Sequence, residues 1–569
     1  MKEKNISILR HSAAHLVAHA VIELFPDTLL TIGPATKDGF FYDFLPQKNF
    51  KEEDLAIIEA RMHELVYQNI PLTHEQVSKE YARELYKNNP FKLELINDIP
   101  DDTVGIARQG DFYDLCRGGH VETTGEIKYF KLLHLSGSYW RANKENQSLQ
   151  RITGTAFFSQ KEMDDFLQAR EDALKYDHRR LGKELDLFSF HEEGVGFPFF
   201  HPHGKVVLNI LTDRIRNRLI RAGYKEIATP AMLSDQLWRR SGHYDHYKEN
   251  MYFSEIDNES YAIKPMNCPG AILIYQDRPR SYRELPLALA EFGLVHRHEL
   301  SGVLSGLFRV RSFTQDDAHI FCTEDQIQQE VEKFIQLFDE VMKPFGFTSI
   351  SIRVSTRPEK AMGSDQLWKK AIQALEDSLM RLGKEYTIYP GEGAFYGPKI
   401  EFHIEDSLKR TWQCGTMQID FFQAENFDLT YVAPDGKYMR PVVLHRAIYG
   451  SFERFLAILL EHYKGKFPFW LAPIQVRILP ITDEVREYAN QIMDFLLSAG
   501  IRVECDMSSD ALSGQIKRAQ INRIPWMIIV GKKEAENNTI TIRDLDGKQT
   551  YGVPIEQLIE MACKANDVE

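Results

Sequence analysis

The sequence predicts a multidomain protein of the α+β class. The chain has 569 residues, and a typical size of about 150 residues per domain gives three or four domains. Its middle part alternates short strand-like stretches with helical periodicity, which is typical of an antiparallel sheet flanked by helices. Its C-terminal part alternates strand and helix more regularly, which is typical of a small parallel or mixed sheet covered by helices.

Four regions separate by composition and hydrophobic pattern. Residues 1–170 combine an opening amphipathic helix with a β-like stretch at 31–44 and further helices. Residues 171–185 carry a charged helical pattern and are predicted to form a linker helix. Residues 186–468 form the large section with strand-like stretches, and residues 469–569 form the regular alternation. We therefore expect an N-terminal α/β domain, a linker, a central antiparallel domain and a C-terminal α/β domain.

Charge and cysteine usage restrict the function classes. Lys and Arg number 69 against 82 Asp and Glu, a net charge of −13, so any RNA contact must come from local basic patches. The candidates are 175–184, 214–225, Lys517, Arg518 and Arg523, and each of them taken singly is better explained as a solvated helix face. The six cysteines form no disulfide or zinc-ribbon spacing. With no signal peptide and no membrane-spanning run, the sequence predicts a cytoplasmic protein without a membrane partner.

Residues 291–321, EFGLVHRHELSGVLSGLFRVRSFTQDDAHIF, hold the densest group of functional side chains. Arg297 and Glu299 precede a turn at Ser301 and Gly302, and Arg309 and Arg311 follow it. An antiparallel pair of strands would present guanidinium groups from both strands on one face. Such a hairpin is expected to bind a polyphosphate.

The R-x-E at 297–299, its turn and the following RVRSFTQDDAHIF resemble the threonyl-tRNA synthetase family of class II aminoacyl-tRNA synthetases. The resemblance implies ATP-dependent ligation of L-threonine to tRNA(Thr) through a threonyl-adenylate, with Mg²⁺ accompanying ATP. It implies an N-terminal editing domain (1–170), an antiparallel class II catalytic domain (186–468) and a C-terminal anticodon-binding domain (469–569). The helix at 205–223, with Pro230 following it, resembles the first class II motif, which implies a homodimer.

Cys268, His319 and His445 each follow a strand-like stretch far apart in the chain. One thiol and two imidazoles suit Zn²⁺ and leave positions open for a substrate. On spacing alone, however, each of these residues is more often part of the core than a metal ligand. The resemblance implies that these residues hold one zinc ion per subunit. A metal that binds the substrate hydroxyl would reject valine, which an apolar pocket separates from threonine by only about 10².

The resemblance also assigns the residues that bind ATP. Arg297 is expected at the α-phosphate, Glu299 at the adenine side or a Mg²⁺ ion, and Arg309 at the outer phosphates. In GSFERF, Ser451 allows close approach of the backbone, and Arg454 is expected to pair with the γ-phosphate. These groups would stabilise the charge that develops as pyrophosphate leaves.

Further matches are expected to contact the amino acid, ATP or the tRNA end. Asp317 is placed to bind the substrate ammonium or hydroxyl group by a charge-assisted hydrogen bond. Each of the others could also be an ordinary strand residue: Met266, Gln315, Tyr396, Lys399, Gln413 and Gln418.

The N-terminal region contains His11-x-x-x-His15, which places two imidazoles on one helix face, and Cys116-x-x-x-His120. Two interpretations compete: a zinc metallohydrolase site, or the editing site that the resemblance implies, with Asp114 orienting a water for attack. The sequence leaves open whether this site binds a metal. Editing has a physical motive, because serine lacks only a methyl group of threonine, worth about 1–3 kcal/mol.

Three further expectations follow from the sequence. Full-length bacterial members carry an additional small N-terminal domain, which we expect this chain to lack. A non-catalytic, RNA-binding paralogue would have lost Arg297, Arg454 or a metal ligand, and none is lost. Relatives specific for proline or serine lack this Cys-His-His set combined with the N-terminal H-x-x-x-H, which favours threonine.

Overall fold

A computed structural model describes residues 5–347, 349–359, 361–362, 364–407 and 410–567. The chain divides into two compact units, Met1–Glu171 and Asp172–Glu569. No described helix is long and apolar enough to cross a membrane.

The first unit packs helices against two small sheets. Helix α1 begins at Asn5, whose side chain accepts the Ser7 N–H, and nearly all of its faces are buried. Its Leu9, Val17 and Val21 pack in the core with aromatic strand residues. The sheet orders are β1-β2-β7-β6 and β3-β4-β5, both antiparallel. The elements are α1 (Ile6–Leu24), β1 (Leu29–Leu30), β2 (Phe40–Leu45), α2 (Glu52–Gln68), β3 (Leu72–Ser78), α3 (Lys79–Leu85), α4 (Pro90–Asp98), β4 (Thr103–Gln109), β5 (Phe112–Leu115), β6 (Tyr129–Tyr139) and β7 (Ser148–Phe157).

Two helices occupy the stretch in which the sequence predicts one linker helix. They are α5 (Gln160–Lys175) and α6 (His178–Glu184). The break has a local cause, because Asp177 adopts a non-helical conformation and its side chain caps α6 by accepting the Arg179 N–H at 2.8 Å.

An eight-stranded sheet forms the centre of the second unit, in the order β10-β14-β15-β22-β19-β18-β16-β17. All its pairs are antiparallel except the two at its edges, β10 with β14 and β16 with β17. This confirms the predicted antiparallel sheet. Its strands are β10 (Lys225–Glu226), β14 (Leu287–His296), β15 (Ser312–Cys322), β16 (Ser349–Ser355), β17 (Tyr386–Tyr389), β18 (Lys399–Glu405), β19 (Thr411–Asp420) and β22 (Val442–Ser451).

Helices and small ribbons surround this sheet, and the amphipathic helices α7, α11, α12 and α14 contribute to its core. The remaining elements are β8 (Phe188–Ser189), β9 (Phe199–Phe200), α7 (Pro202–Arg221), β11 (Met232–Ser234), α8 (Asp235–Arg240), α9 (His243–Tyr247), β12 (Tyr252–Ile256), β13 (Glu259–Ile263), α10 (Cys268–Gln276), α11 (Ile327–Met342), α12 (Asp365–Arg381), α13 (Phe422–Asn426), β20 (Tyr431–Val432), β21 (Tyr438–Met439) and α14 (Phe452–His462).

The C-terminal part is a five-stranded mixed sheet with the order β24-β23-β25-β26-β27. Its first three strands are parallel and the last two pairs antiparallel, which confirms the predicted mixed sheet. The elements are β23 (Val476–Pro480), α15 (Arg486–Ser498), β24 (Val503–Cys505), α16 (Leu512–Ile521), β25 (Trp526–Val530), α17 (Lys532–Asn537), β26 (Thr539–Asp544), β27 (Gln549–Pro554) and α18 (Ile555–Asn566).

Candidate functional site

One row of side chains crosses four neighbouring strands of the central sheet. In the strand register, Lys399 pairs with Gln418, Gln418 with His445, and His445 with His319. Directly opposed residues in a sheet have Cβ atoms about 5 Å apart and point to the same face. The register therefore brings together four residues that are scattered over the sequence.

Cys268, the first residue of α10, completes a group with His319 and His445. Their donor atoms all lie within 4.8 Å of one another, and all three side chains are buried. Burial raises the pKa of the Cys268 thiol and lowers the pKa of His319. His445 Nε2 lies 3.0 Å from Asp420 Oδ2, and His243 Nε2 lies 3.7 Å from Cys268 Sγ. The group offers the donors of a metal site, with a carboxylate beside one of the histidines.

Asp317 lies two residues before His319 and therefore faces the same side of the sheet. Asn267, next to Cys268, donates from Nδ2 to Asp317 Oδ2 at 3.1 Å. Burial raises the pKa of the Asp317 carboxyl, and the Asn267 hydrogen bond partly opposes this rise. Met266 is half-buried beside these residues in sequence.

Tyr396 reaches the same group from the segment between β17 and β18. Its hydroxyl donates to Gln418 Oε1, and its ring centroid lies 5.5 Å from that of His445. Gln315 pairs with Ser451 across β15 and β22. These contacts place four of the predicted pocket residues along the same part of the sheet.

Lys399 and Gln413 share a carboxylate. Lys399 Nζ lies 2.8 Å from Glu401 Oε1, and Gln413 Nε2 donates to the same oxygen at 2.8 Å. Ser355 donates from Oγ to Glu401 Oε2 at 2.8 Å. Glu401 therefore holds both predicted residues in fixed positions.

The predicted hairpin is longer than the sequence suggested, which corrects the expected position of the arginines. Strand β14 ends at His296 and β15 begins at Ser312, so all four charged residues lie in the connection rather than on paired strands. The guanidinium of Arg311 forms its hydrogen bonds within the protein: it donates to Glu299 O, Val195 O and Ser301 Oγ. The glycine and serine turn residues allow this wide loop, whose ends meet where Arg297 N–H donates to Arg311 O at 2.9 Å.

Arg297 and Arg309 differ from Arg311 in their surroundings. Arg297 donates from Nε to Pro265 O at 3.1 Å, and its guanidinium lies 5.0 Å from the Phe313 ring centroid. Arg309 is 55% exposed, with Glu299 Oε2 3.8 Å from its Nε. Arg297 is thus held against the protein, whereas Arg309 extends towards solvent.

Arg454 projects from the start of α14. Ser451 caps this helix by accepting the Arg454 N–H at 3.1 Å, and the Arg454 guanidinium lies 5.7 Å from the Trp412 ring centroid. Burial lowers the pKa of Arg454. The adjacent Glu453 accepts the Thr314 N–H with its carboxylate at 3.0 Å, which ties the helix to β15.

A second group of titratable residues lies in the first unit. His11, His15, Cys116 and His120 have donor atoms within 4.8 Å of one another. Cys116 Sγ lies 3.1 Å from His11 Nε2 and 3.0 Å from His120 Nε2. Burial raises the pKa of Cys116 and lowers the pKa of His120 to about 4. Burial also lowers the pKa values of His11 and His15. The thiol and the three imidazoles are therefore neutral near pH 7.

Asp114 lies beside this group and carries partners that the sequence did not indicate. Tyr42 OH donates to Asp114 Oδ2 at 2.6 Å, and the buried Lys92 ammonium pairs with Asp114 Oδ1. His15 Nδ1 lies 3.4 Å from Asp114 Oδ2. A cavity of about 630 Å³ opens onto His11, His15, Lys92, Asp114 and Cys116. This volume lies within the usual range of small-ligand pockets.

Comparison with known proteins places the chain in a family. The threonine–tRNA ligase of Acetivibrio thermocellus is 51% identical over 559 residues, which cover 98% of this chain and 88% of the relative. That of Carboxydothermus hydrogenoformans is 50% identical over 97% of this chain and 88% of the relative. The chain belongs to the threonyl-tRNA synthetase family.

Three family models match parts of this chain. Residues 252–463 match the class II core domain of synthetases for G, H, P, S and T, and residues 475–564 match an anticodon binding domain. Residues 104–153 match the second additional domain of threonyl- and alanyl-tRNA synthetases. The three models agree with the predicted class of protein and with its class II core.

Solved structures agree with the same assignment. The RNA binding domain of threonyl-tRNA synthetase from Cryptosporidium parvum is 41% identical with a TM-score of 0.67, covering 68% of this chain and 98% of that one. Prolyl-tRNA synthetase from Giardia lamblia, solved with prolyl-adenylate, is 17% identical with a TM-score of 0.56 over 70% and 80% of the two chains. The second likeness concerns the fold alone.

Several residues of this synthetase were missed by sequence reasoning. Asp420 lies two residues after Gln418 on the same strand face, so strand periodicity could have identified it. Glu401 follows Lys399 by the same spacing. No sequence motif identifies Lys92 or Tyr42 as a site residue, because only the tertiary structure brings them to Asp114.

Proposed function

We propose that this chain ligates L-threonine to tRNA(Thr) by way of a threonyl-adenylate, and that it hydrolyses Ser-tRNA(Thr) in its N-terminal unit. The observation that carries the proposal is the convergence of Cys268, His319 and His445 on one sheet face within a threonyl-tRNA synthetase chain. The two activities would use the two separate groups of side chains described above.

The three donors suit Zn²⁺ in chemistry and environment. They are one thiol and two imidazoles, buried and mutually close, and three protein ligands leave room for a substrate. Bound zinc would supply a Lewis acid that accepts the amino and hydroxyl groups of threonine. Asp420 would orient His445, and Asp317 would bind the substrate ammonium or hydroxyl. Valine offers no hydroxyl and would leave such a site unsatisfied.

Adenylate formation would depend on the three arginines. Arg297 is already held by Pro265 O and the Phe313 ring, and we assign it to the α-phosphate, where charge develops. Arg309, which is exposed, is assigned to the outer phosphates together with Arg454. Mg²⁺ would enter with ATP, with Glu299 on the adenine side or as a ligand of that ion.

The remaining pocket residues would position the threonine and the tRNA end. Tyr396 and Gln418 form one hydrogen-bonded pair beside His445, and Lys399 and Gln413 are held by Glu401. Gln315 and Ser451 pair with each other across β15 and β22, and Met266 lies two residues before Cys268 in the chain. Fixed polar groups of this kind hold a substrate in a reactive geometry.

In the N-terminal unit, we assign editing to the His11, His15, Cys116 and His120 group. Neutral imidazoles can accept a proton from water at neutral pH, and the low pKa of His120 keeps it neutral. Asp114, held by Lys92 and Tyr42, would fix the orientation of His15. These residues account for hydrolysis without a metal, and metal analysis of this unit tests that assignment.

Threonine-dependent pyrophosphate exchange tests the ligase function. Zinc-loaded protein is expected to exchange pyrophosphate into ATP with threonine and with serine, and about 10²-fold or more weakly with valine. Removal of the metal by a chelator should abolish the threonine-dependent signal. Absence of exchange in the zinc-loaded protein would refute the proposal.

The editing assignment predicts that one substitution can impair hydrolysis of Ser-tRNA(Thr) without affecting threonine activation. Cys116→Ala should lower the rate of Ser-tRNA(Thr) hydrolysis by about 10² or more, because the thiol lies within 3.1 Å of two imidazoles. Threonine activation should stay unchanged. Deacylation of purified Ser-tRNA(Thr) measures the effect, with Cys505→Ala, a half-buried cysteine of β24, as the matched control. Equal hydrolysis by wild type and Cys116→Ala would remove the assignment.

We also propose a cytoplasmic homodimer. The described cysteines are all free, which suits a reducing compartment. Helix α7 corresponds to the first class II motif and leaves Ile220 58% exposed, and burial against a second copy would remove this apolar surface from water. The mass in solution tests the dimer.

A further inference from the structure

His178 is buried at the first position of α6, before the matched class II core at 252–463. Both nitrogen atoms of its ring form hydrogen bonds. Leu307 N–H donates to His178 Nε2 at 3.0 Å, so Nε2 is the unprotonated nitrogen. Nδ1 therefore carries the proton and donates to Glu461 Oε1 at 2.7 Å. The two contacts fix both the tautomer and the orientation of the ring.

The partner on one side is the loop that carries Arg309. Leu307 is fully buried and Phe308 packs edge-on against the His178 ring, with centroids 4.4 Å apart. Gly306 lies so close that a Cβ on it would fall 2.2 Å from His178 Nε2. The histidine thus contacts three successive residues immediately before Arg309.

The partner on the other side belongs to the helix that carries Arg454. Glu461 is buried near the end of α14 and also accepts the His178 backbone N–H at 2.9 Å. Its second oxygen pairs with Arg410. Since Arg454 and Glu461 lie two turns apart on one helix, a displacement of Glu461 relative to the loop changes the separation of the two arginines.

Phe308 provides a second link between the same parts. Its ring stacks on Trp412 with centroids 4.1 Å apart and an interplanar angle of 17°, and the Arg454 guanidinium lies over the other ring of the pair, Trp412, at 5.7 Å. Trp412 Nε1 in turn donates to Asp406, which pairs with Arg410. The loop therefore contacts a connected set of buried and half-buried groups that ends at His178.

We propose that His178 is a positioning residue for ATP, which sets the distance between the Arg309 loop and the Arg454 helix. This inference rests on the proposed function, because it assigns both arginines to the outer phosphates of ATP. His178 contacts neither ATP nor threonine in this scheme. His178 acts through the Leu307 N–H, which needs a hydrogen-bond acceptor because Leu307 is buried.

A pair of matched substitutions separates this role from simple packing. In His178→Asn the amide nitrogen takes the place of Nδ1 and keeps Glu461, but nothing reaches Leu307. In His178→Gln the amide oxygen reaches the depth of Nε2 and accepts the Leu307 N–H, while the backbone N–H of residue 178 still donates to Glu461 and keeps the helix side of the link. We expect His178→Asn to raise the KM for ATP in pyrophosphate exchange about ten-fold. His178→Gln should stay within about three-fold of wild type, and the KM for threonine should change less than two-fold in both.

The matched control is His201→Asn. His201 is also bonded on both ring nitrogens, to Asp186 and Ser189, but it does not contact the Arg309 loop. The KM for ATP of the His201→Asn variant should equal that of wild type. If His178→Asn does not fold, Gly306→Ala provides the second variant. Its Cβ would fall against His178, and its backbone has a left-handed φ of +51° that an alanine adopts only with strain, so both effects displace the loop. It should raise the KM for ATP to the same extent.

The outcomes distinguish this inference from the proposed function. Lack of threonine-dependent exchange in wild type would refute the function itself. Active wild type with an unchanged KM for ATP in His178→Asn or Gly306→Ala would overturn the inference. Equal losses for ATP and threonine in the Asn and Gln variants would also overturn it, because they would indicate a structural role only.

Discussion

Cys268→Ala is expected to lower kcat/KM for threonine activation by about 10³ and to abolish stoichiometric zinc binding. The factor corresponds to about 4 kcal/mol of transition-state stabilisation, the size of a Lewis-acid contribution. Cys268 is the only sulfur donor in the group, and its removal leaves two buried histidines. Metal analysis and pyrophosphate exchange on the same preparation measure both effects.

Cys322→Ala is the matched control for this experiment. Cys322 is fully buried on β15, three residues after His319, and does not belong to the donor group. It should retain its zinc and its activity apart from a modest loss of stability. Zinc retained at one ion per chain in Cys268→Ala would contradict the assigned ligand set.

The second large effect is expected at Arg297. Arg297→Ala should lower kcat/KM for adenylate formation by about 10³, because a held cation is removed from the site of developing charge. Arg297→Lys should lose about 10², since it keeps the charge but lacks the planar fork and the Nε–H that donates to Pro265 O. Single-turnover formation of the adenylate separates the chemical step from ATP binding.

Arg283→Ala provides the control for charge and size. Arg283 belongs to the same unit, and its exposed side chain donates from Nε to the hydroxyl of the neighbouring Tyr282 at 3.2 Å. Its exchange rate should match that of wild type. An Arg297→Ala variant that forms adenylate at the wild-type rate would show that the α-phosphate is stabilised by another group.

The sequence predicted the strands of the central sheet closely, because each is a short apolar run with polar neighbours. The strand-like stretch KIEFHIED contains β18, and SIRVST and TMQIDFF overlap β16 and β19. A fourth stretch, YAIKPMN, overlaps β13, which belongs to the separate three-stranded sheet β11-β13-β12. It was less successful between β14 and β15, where a tight turn was expected and a long connection is found. A turn signal such as Ser301-Gly302 indicates where the chain bends but does not fix how many residues leave the sheet.

In the candidate sites, too, the sequence identified local features but not the contacts between distant residues. The motifs around His319 and His445 identified both residues as candidate metal ligands. No local pattern, however, indicates that β15 pairs with β22 or that the two histidines lie opposite each other. Lys92, Tyr42 and His178 were not singled out as site residues at all, and each gains its role from a partner distant in the chain.

The sequence by itself determined which chemical groups this protein offers and which short segments form helices and strands, since propensity and periodicity act over a few residues. Only the tertiary structure decided which of those groups meet. Strand register aligned Lys399, Gln418, His445 and His319 in one row, and helix packing brought Glu461 and Leu307 to opposite sides of His178. Such contacts depend on the burial of distant apolar faces against one another, which no local stretch of sequence encodes.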